Sequence, residues 1–168
     1  RTAHGISAHA QCYTGTQLCN RGIVSASMPA AIKQSIVIGA LREERRIGDS
    51  LLTLYDFLVD HDLLDSTELV MVVADGGDQT KTIVLSHYKK FPHFQLIEPG
   101  LPLGKGRDIQ AGVLAARGNL RIFMDADLAT PLHHILKVLE IWEQQRPDLI
   151  IGTRNLRTIH TELSRRLI

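Results

Sequence analysis

What this sequence lacks excludes several classes of protein. No apolar run approaches the roughly 18 residues that a membrane-spanning helix requires. The net charge is only +1, and no basic stripe carries interleaved aromatic side chains, so nucleic acid is not an expected partner. The first stretch also lacks the continuous apolar core of a secretory signal. What remains is the composition of an ordinary globular domain, 44% hydrophobic and 22% charged over 168 residues.

Cysteine is also scarce. Cys12 and Cys19 are the two cysteines of the chain, too few for a disulfide framework. Together with His4 and His9 they offer four potential zinc ligands, but structural zinc sites typically pair cysteines that are closer together in the sequence. We therefore expect free thiols, as in a reducing compartment.

Residues 1–34 differ from the rest of the chain because they show no sustained hydrophobic periodicity. We expect them to form a poorly ordered extension, and residues 35–168 to form the folded domain. The chain begins with Arg1 rather than methionine and stops after a basic cluster. We therefore expect a fragment whose domain is incomplete at its C-terminal end.

From Ser35 onward, short β-branched runs alternate with amphipathic segments. The pattern predicts strands at 35–38, 69–73, 95–97, 120–124 and 149–151, and helices at 43–60, 80–90, 108–117 and 131–145. Such alternation predicts an α/β fold, a layered Rossmann-like arrangement with a mostly parallel central sheet flanked by helices. The loops 39–44, 75–80 and 125–130 should then meet at the carboxyl edge of the sheet, where ligands of such folds bind.

Two carboxylates one residue apart, Asp125 and Asp127, follow an apolar run that indicates a short buried strand. A carboxylate pair in that position is costly unless a cation, water or a hydrogen-bond donor compensates it. Mg²⁺ or Mn²⁺, shared between the carboxylates and the phosphates of a substrate, would do so. The alternative is an acidic turn that caps the following helix.

Familiar phosphate-binding motifs are absent. Residues 100–106 are one residue short of a Walker loop, and Ile109 stands where the dinucleotide fingerprint needs its third glycine. The Gly104-Lys105-Gly106 segment still suits a phosphate, although a solvated turn is the alternative. A phosphatase of the haloacid dehalogenase type also uses Asp-x-Asp after a strand. It would need threonine at Ala129, and its motif follows the first strand rather than the fourth.

Five segments in order resemble the family 2 glycosyltransferases of the GT-A fold. They are S-I-V-I-G-A-L-R-E-E at 35–44, V-V-A-D-G-G-D-Q-T at 72–80, L-G-K-G at 103–106 followed by G-V-L-A-A-R-G at 112–118, F-M-D-A-D-L-A-T-P at 123–131, and G-T-R at 152–154. The fourth segment is closest to the branch that glycosylates dolichyl or polyprenyl phosphate.

The resemblance implies an inverting transferase that moves a hexose from a nucleotide-diphosphate sugar, UDP-glucose or GDP-mannose, to a lipid phosphate. Charge builds up on the departing diphosphate, and a divalent cation, Mg²⁺ or Mn²⁺, stabilises such charge directly. Full-length relatives contact the membrane through other parts of the protein. The resemblance therefore implies a location at the cytoplasmic face of a membrane.

The resemblance also implies roles for particular residues. Asp127 would hold the metal and serve catalysis, and Asp125 would touch the ribose or share the ion. The set expected to bind the nucleotide sugar is Gly39, Leu41, Glu43, Asp75, Lys105, Asp125, Ala126, Asp127 and Arg154. The catalytic base is not identified.

Departures from the family pattern motivate a second hypothesis. Gly39, Arg42 and Ala74 stand where relatives usually have proline, asparagine and aspartate. A non-catalytic nucleotide-binding or scaffold domain with a degenerate site is therefore the alternative, although Asp125 and Asp127 are both present.

Overall fold

The protein folds as a layered α/β domain, in a computed structural model that describes residues 31–102 and 104–152. The predicted extension up to residue 30, with both cysteines, lies outside the described residues, as do Leu103 and the segment 153–168 with Arg154. The first strand begins at Gln34, one residue before the predicted domain boundary.

Within residues 31–102 and 104–152, four strands and four helices alternate. The strands are β1 Gln34–Ala40, β2 Thr67–Val73, β3 His93–Ile97 and β4 Leu120–Asp125. The helices are α1 Ile47–Asp60, α2 Thr80–His87, α3 Lys105–Ala115 and α4 His133–Gln145, with short 3₁₀ turns at Leu64–Ser66 and Tyr88–Lys90. The predicted α/β alternation is confirmed. Within the described residues, no helix has the length and apolarity needed to cross a bilayer.

The strands form one parallel sheet in the order β3-β2-β1-β4. The chain moves outward from β1 through β2 to β3 and then returns to place β4 on the other side of β1. The boundary between β1 and β4 is therefore a topological switch point, where the loops diverge and leave a crevice at the carboxyl edge. Gly39 pairs with both Val72 and Asp125, so the strands end at nearly the same level.

The sheet is covered on both faces. One face packs on α1, α2 and α4 through a core that includes Ile36, Ile38, Met71, Leu51, Leu54, Leu58, Val84 and Ile135. The other face packs on α3, through Val37, Val70, Val72 and Ala116 with Ile109 and Val113. Burial of both faces explains why β1 and β2 are continuous apolar runs rather than alternating ones.

One strand prediction is wrong, and another is right about the strand but wrong about its burial. Residues 149–151 form no strand, and Leu149 and Ile151 are 74% and 72% exposed. A run this short becomes a strand only when a neighbouring strand hydrogen-bonds to it, and β4 has no second partner among the described residues. The run 120–124 does form β4, as predicted, but within the described residues this strand lies at the edge of the sheet and is not buried, with Phe123 63% exposed.

Helix boundaries also differ from the prediction. Helix α1 begins at Ile47 rather than Glu43, because residues 43–46 form a turn that contributes to the site described below. Helix α3 begins at Lys105, directly after Gly104, whose φ of +103° is strained for any residue with a side chain. Helix α4 begins two residues after Pro131, with Leu132 at its N-cap.

Candidate functional site

A cavity of about 260 Å³ opens at the carboxyl edge of the sheet, between the ends of β1 and β4. Its lining residues are Gly39, Ala40, Leu41, Glu43, Lys105, Asp108, Asp125, Ala126 and Asp127. Seven of them belong to the nine residues that the sequence resemblance assigned to nucleotide-sugar binding. The residues come from three separate segments, which the switch point of the sheet brings together.

Asp125 and Lys105 form an ion pair inside this cavity. Asp125 is the last residue of β4, and Lys105 is the first residue of α3. Lys105 Nζ donates to Asp125 Oδ1 at 2.5 Å, with both side chains more than half exposed. The ammonium group thus provides the compensation that a carboxylate at this edge requires.

Arg46 links two other carboxylates of the cavity, Glu43 and Asp127. Its guanidinium lies 3.0 Å from Glu43 Oε2 and 3.8 Å from Asp127 Oδ2. Arg46 is itself 61% exposed, so the contact is accessible to an incoming ligand. Each of Asp125 and Asp127 therefore faces a protein cation.

Asp127 does not cap the following helix. Its Oδ1 instead accepts a hydrogen bond from the backbone N–H of Ala129 at 3.1 Å, within the turn that follows β4. The same turn is closed by Leu128 N–H donating to Asp125 O at 3.1 Å. No side chain caps α4. The other oxygen of Asp127, Oδ2, faces Arg46.

The loop after β1 is braced against the start of α2. Thr80 Oγ1 accepts the backbone N–H of Glu43 at 2.8 Å and donates to Asp78 Oδ2 at 2.7 Å. Burial acts to raise the pKa of the Asp78 carboxyl, but hydrogen bonds from Thr80 and from the Glu44 N–H outweigh it and hold the pKa below its usual value. The brace fixes Glu43 at the rim of the cavity.

Arg42 has an unusual backbone conformation in this loop. Its φ is +59°, in the left-handed region that asparagine and glycine tolerate better than arginine. Asparagine is the residue that the family pattern has at this position. Arg42 Nε donates to the carbonyl of Gly76 at 3.2 Å, and this contact holds the strained residue in place. Arg42 thus adopts a backbone conformation that the asparagine of the family pattern would tolerate better.

One predicted site residue, Asp75, does not line the cavity. Asp75 is exposed, and its Oδ1 accepts the backbone N–H of Gly77 at 3.2 Å. A second, more open hollow of about 630 Å³ adjoins the first through Glu43 and is lined by Arg42, Glu44, Arg45, Arg46, Gly76 and Asp78. Asp75 does not line that hollow either. Arg154, the remaining predicted residue, lies outside the described residues.

Sequence reasoning missed Arg46 and Asp108. Arg46 lies three residues after Glu43 and was expected to be inside a helix, whereas it closes a turn. Asp108 precedes Gly112 by four residues, so it shares the face of α3 that packs on the sheet. An acid on a buried helical stripe is the signal that could have identified it.

The carboxylates of the cavity provide only some of the ligands that a hard divalent cation needs. Asp125 and Asp127 supply the carboxylate oxygens that Mg²⁺ and Mn²⁺ prefer. Within the described part of the chain, however, no group of three or more His, Cys, Asp or Glu side chains is arranged to hold a metal alone. An ion held by these two carboxylates would need its remaining ligands from substrate phosphates and water.

A parallel sheet covered by helices on both faces, with an acidic cavity at its switch point, defines the chain as a doubly wound α/β domain. The sequence profile described as Glycosyl transferase family 2 matches residues 35–168. The chain belongs to this family. Family membership leaves the haloacid dehalogenase alternative without support.

Similar proteins carry consistent names. The chain is 34% identical over 134 residues to dolichyl-phosphate beta-glucosyltransferase ALG5A of Trichomonas vaginalis, covering 75% of this chain and 41% of the relative. It is 30% identical over 134 residues to dolichyl-phosphate beta-glucosyltransferase of Drosophila melanogaster, covering 74% of this chain and 41% of that relative. The chain thus spans less than half the length of these relatives.

The fold is also found in a solved structure. S. aureus TarS 1-349 in complex with UDP-GlcNAc superimposes with a TM-score of 0.55 at 20% identity, covering 76% of this chain and 36% of TarS. The predicted GT-A fold is confirmed by this likeness, which concerns the fold alone.

Proposed function

We propose that this chain forms the donor-binding part of an inverting glycosyltransferase. The enzyme would move a hexose from UDP-glucose or GDP-mannose to dolichyl or polyprenyl phosphate. The observation that carries the proposal is the single cavity in which seven of the nine expected donor-binding residues meet. The names of the relatives support a dolichyl phosphate acceptor and a glucosyl donor.

Different residues of the cavity would bind different parts of the donor. Lys105 and Arg46 provide positive charge at the exposed mouth of the cavity, where a diphosphate would replace their contacts with Asp125 and Asp127. Asp125 and Asp127 would hold Mg²⁺ or Mn²⁺ together with the diphosphate. When bound, the ion would stabilise the negative charge that develops on the departing nucleotide. Glu43, fixed by Thr80, and the backbone of Gly39 and Leu41 would contact the nucleoside.

Asp75 and Arg154 keep their proposed roles in donor binding. Asp75 would reach the nucleoside after a rearrangement of its loop, and Arg154 would contact the phosphates or the sugar. Because the proposed acceptor is a membrane lipid, we also propose that the complete protein works at the cytoplasmic face of a membrane.

Thermal unfolding of the 168-residue chain with UDP or GDP, with and without Mn²⁺, tests the donor site. A ligand at a hundred times its dissociation constant adds about 2.7 kcal/mol to the free energy of unfolding. We expect Mn²⁺-dependent stabilisation by one nucleotide, lost in Asp127→Ala. Asp65→Ala, which removes an exposed carboxylate just before β2 at the other edge of the sheet, should retain it. Stabilisation by neither nucleotide, or equal stabilisation of Asp127→Ala, would contradict the proposal.

Turnover distinguishes the enzyme from a non-catalytic nucleotide-binding domain. Both would bind the nucleotide, but only the enzyme would form glycosylated dolichyl phosphate from the donor whose nucleotide stabilises the chain. Product should be absent when Asp127 is replaced by alanine. Binding without product in a preparation of the complete protein would favour the non-catalytic alternative.

A further inference from the structure

Asp108 is the least explained side chain of the cavity. It lies in the first turn of α3, lines the cavity, and is only 6% exposed. Its Oδ1 is buried from solvent and has no hydrogen-bond partner among the described residues. A buried carboxylate oxygen without a donor is destabilising, and such groups concentrate where a ligand provides the missing partner.

The position of Asp108 separates it from the other charged groups. The side chains of Lys105 and Asp125 are 68% and 51% exposed at the mouth of the cavity. Asp108 lines the same cavity but is only 6% exposed, and the side chain of the next residue, Ile109, packs over Gly39 at the end of β1. We therefore call the exposed charged part of the cavity its mouth and the buried part at Asp108 its floor.

The chemistry of the floor selects which end of a nucleotide enters it. A carboxylate oxygen repels phosphate oxygens and needs an N–H or O–H donor. In a nucleoside diphosphate those donors are the ribose hydroxyls and the N–H groups of the base. The diphosphate is instead suited to Lys105 and Arg46, and a hexose attached to it would extend farther from the floor.

We propose that the Asp108 carboxylate, turned toward the cavity on binding, accepts a hydrogen bond from the nucleoside of the donor, and that Asp108 is a specificity-determining residue of the site. This inference rests on the proposed function. It assigns a binding residue that the family motifs did not indicate, and it orients the donor with its nucleoside on the floor and its diphosphate at the mouth.

Affinity and stability respond in opposite directions to removal of this carboxylate. Asp108→Ala should weaken binding of UDP or GDP by about tenfold to a hundredfold, because a hydrogen bond to a charged group is lost. The melting temperature of the free chain should stay the same or rise, because an unpaired buried acceptor is removed. Asp108→Asn keeps an acceptor oxygen and should weaken binding less.

The matched control is Asp49→Ala, which removes an exposed acid from the first turn of α1. Both substitutions remove a carboxylate near a helix N-terminus, so the control accounts for the loss of the helix-dipole interaction. Asp49→Ala should lower stability slightly and leave nucleotide affinity unchanged. Binding is measured by calorimetry with UDP and GDP, which carry no hexose.

Ligand analogues identify the donor group. If Asp108 accepts from a ribose hydroxyl, the corresponding deoxynucleotide should bind wild type and Asp108→Ala with equal affinity. If Asp108 accepts from the base, a nucleotide methylated at the donating N–H of the base should instead bind wild type and Asp108→Ala with equal affinity. Equal affinity of wild type and Asp108→Ala for either analogue supports the inference. The inference is overturned if Asp108→Ala binds every analogue as much more weakly than wild type as it binds the parent nucleotide. It is also overturned if Asp108→Ala binds the intact nucleotide sugar more weakly but binds UDP and GDP as well as wild type does.

Two further outcomes separate this inference from the proposed function. If wild type binds neither nucleotide, both fail together. If wild type binds one nucleotide and Asp108→Ala binds it equally well, the inference alone fails. A structural role for Asp108 predicts a lower melting temperature with unchanged affinity in both variants, and that result would also overturn the inference. Should Asp108→Ala not fold, the expected gain in stability is contradicted, and Asp108→Asn must still show weaker binding for the affinity claim to stand.

Discussion

Lys105 Nζ lies 2.5 Å from Asp125 Oδ1, so the ammonium group of the protein itself pairs with a carboxylate that is proposed to bind the metal ion of the donor site. The two residues come from different elements, since Lys105 opens α3 and Asp125 ends β4. Both side chains are more than half exposed, and such pairs stabilise a fold by at most about 1 kcal/mol. The pair is therefore weak enough for a ligand to separate it.

Replacement of Lys105 by alanine should have opposite effects on metal and on nucleotide. Asp125 would lose its competing ammonium group, so Mn²⁺ alone should bind several-fold more tightly, on the order of one exposed charge interaction. UDP or GDP without metal should bind more weakly, because positive charge at the mouth is lost. Free Mn²⁺ can be followed by electron paramagnetic resonance and nucleotide binding by calorimetry.

The control for Lys105→Ala is Lys81→Ala. Lys81 forms an ion pair with Glu98 at the same distance of 2.5 Å and with similar exposure, but neither residue lines the cavity. Both variants should have nearly the same stability, and Lys81→Ala should leave metal and nucleotide affinities unchanged. Unaltered Mn²⁺ affinity in Lys105→Ala would show that the ammonium group does not compete for Asp125.

Gly112 brings α3 close to the sheet. A Cβ at this position would lie 2.5 Å from Val72 Cγ2 and 2.6 Å from Val37 Cγ1, distances that no packed side chain tolerates. Gly112→Ala should therefore lower the free energy of unfolding by about 1–3 kcal/mol through overpacking, despite the better helix propensity of alanine. Chemical denaturation measures the change.

Gly106 provides the comparison in the same helix. An added Cβ there meets nothing within 4 Å, so Gly106→Ala should be neutral or stabilise the chain by up to about 1 kcal/mol. Equal stabilities of the two variants would mean that α3 can move away from the sheet at little cost. Its first turn, with Lys105 and Asp108, would then be less firmly positioned than the structure indicates.

The sequence predicted the interior of the sheet better than its edges. Strands β1 and β2 are buried on both faces, so their apolar runs were sufficient to identify them. The exposure of β4 depends on which strand lies outermost, a property of the tertiary arrangement that no local pattern encodes. The same reason explains the failed strand at 149–151, where an apolar run has no strand beside it in the part of the chain that the structure describes.

The candidate site shows a similar division. Residues that directly follow strands, such as Gly39 and Asp125, were predicted because parallel strands end at a common edge. Asp108 was missed because its role depends on which face of α3 meets the cavity. Arg46 was missed because its reach to Asp127 spans two loops.

Glu68 is a fully buried carboxylate at the amino end of β2, away from the cavity. It accepts hydrogen bonds from the hydroxyl of Ser35 at 2.6 Å and from the backbone and guanidinium of Arg117 at 2.8 and 2.6 Å. Burial acts to raise the pKa of Glu68, but these donors and the Arg117 charge outweigh it and hold the pKa below its ordinary value of 4.5. The carboxylate thus connects β1, β2 and the segment that leads into β4.

The pH dependence of stability follows from this shift. Because Glu68 binds its proton less tightly in the folded state than in the unfolded state, the stability that Glu68 contributes is present above about pH 4.5 and is lost as pH falls through the lower pKa of the folded state.

Glu68→Gln should lower the free energy of unfolding at pH 7 by about 1–3 kcal/mol, since the glutamine amide cannot accept all three hydrogen bonds. Its free energy of unfolding should also fall less steeply between pH 5 and pH 3, roughly the range in which carboxylates titrate. Some dependence of the free energy of unfolding on pH remains, because Asp78 has a lowered pKa as well.

Urea denaturation at a series of pH values measures both effects. The control is Glu143→Gln, at an exposed position of α4, which should retain the pH dependence of wild type. Parallel pH profiles for wild type and Glu68→Gln would mean that Glu68 keeps its ordinary pKa in the folded protein.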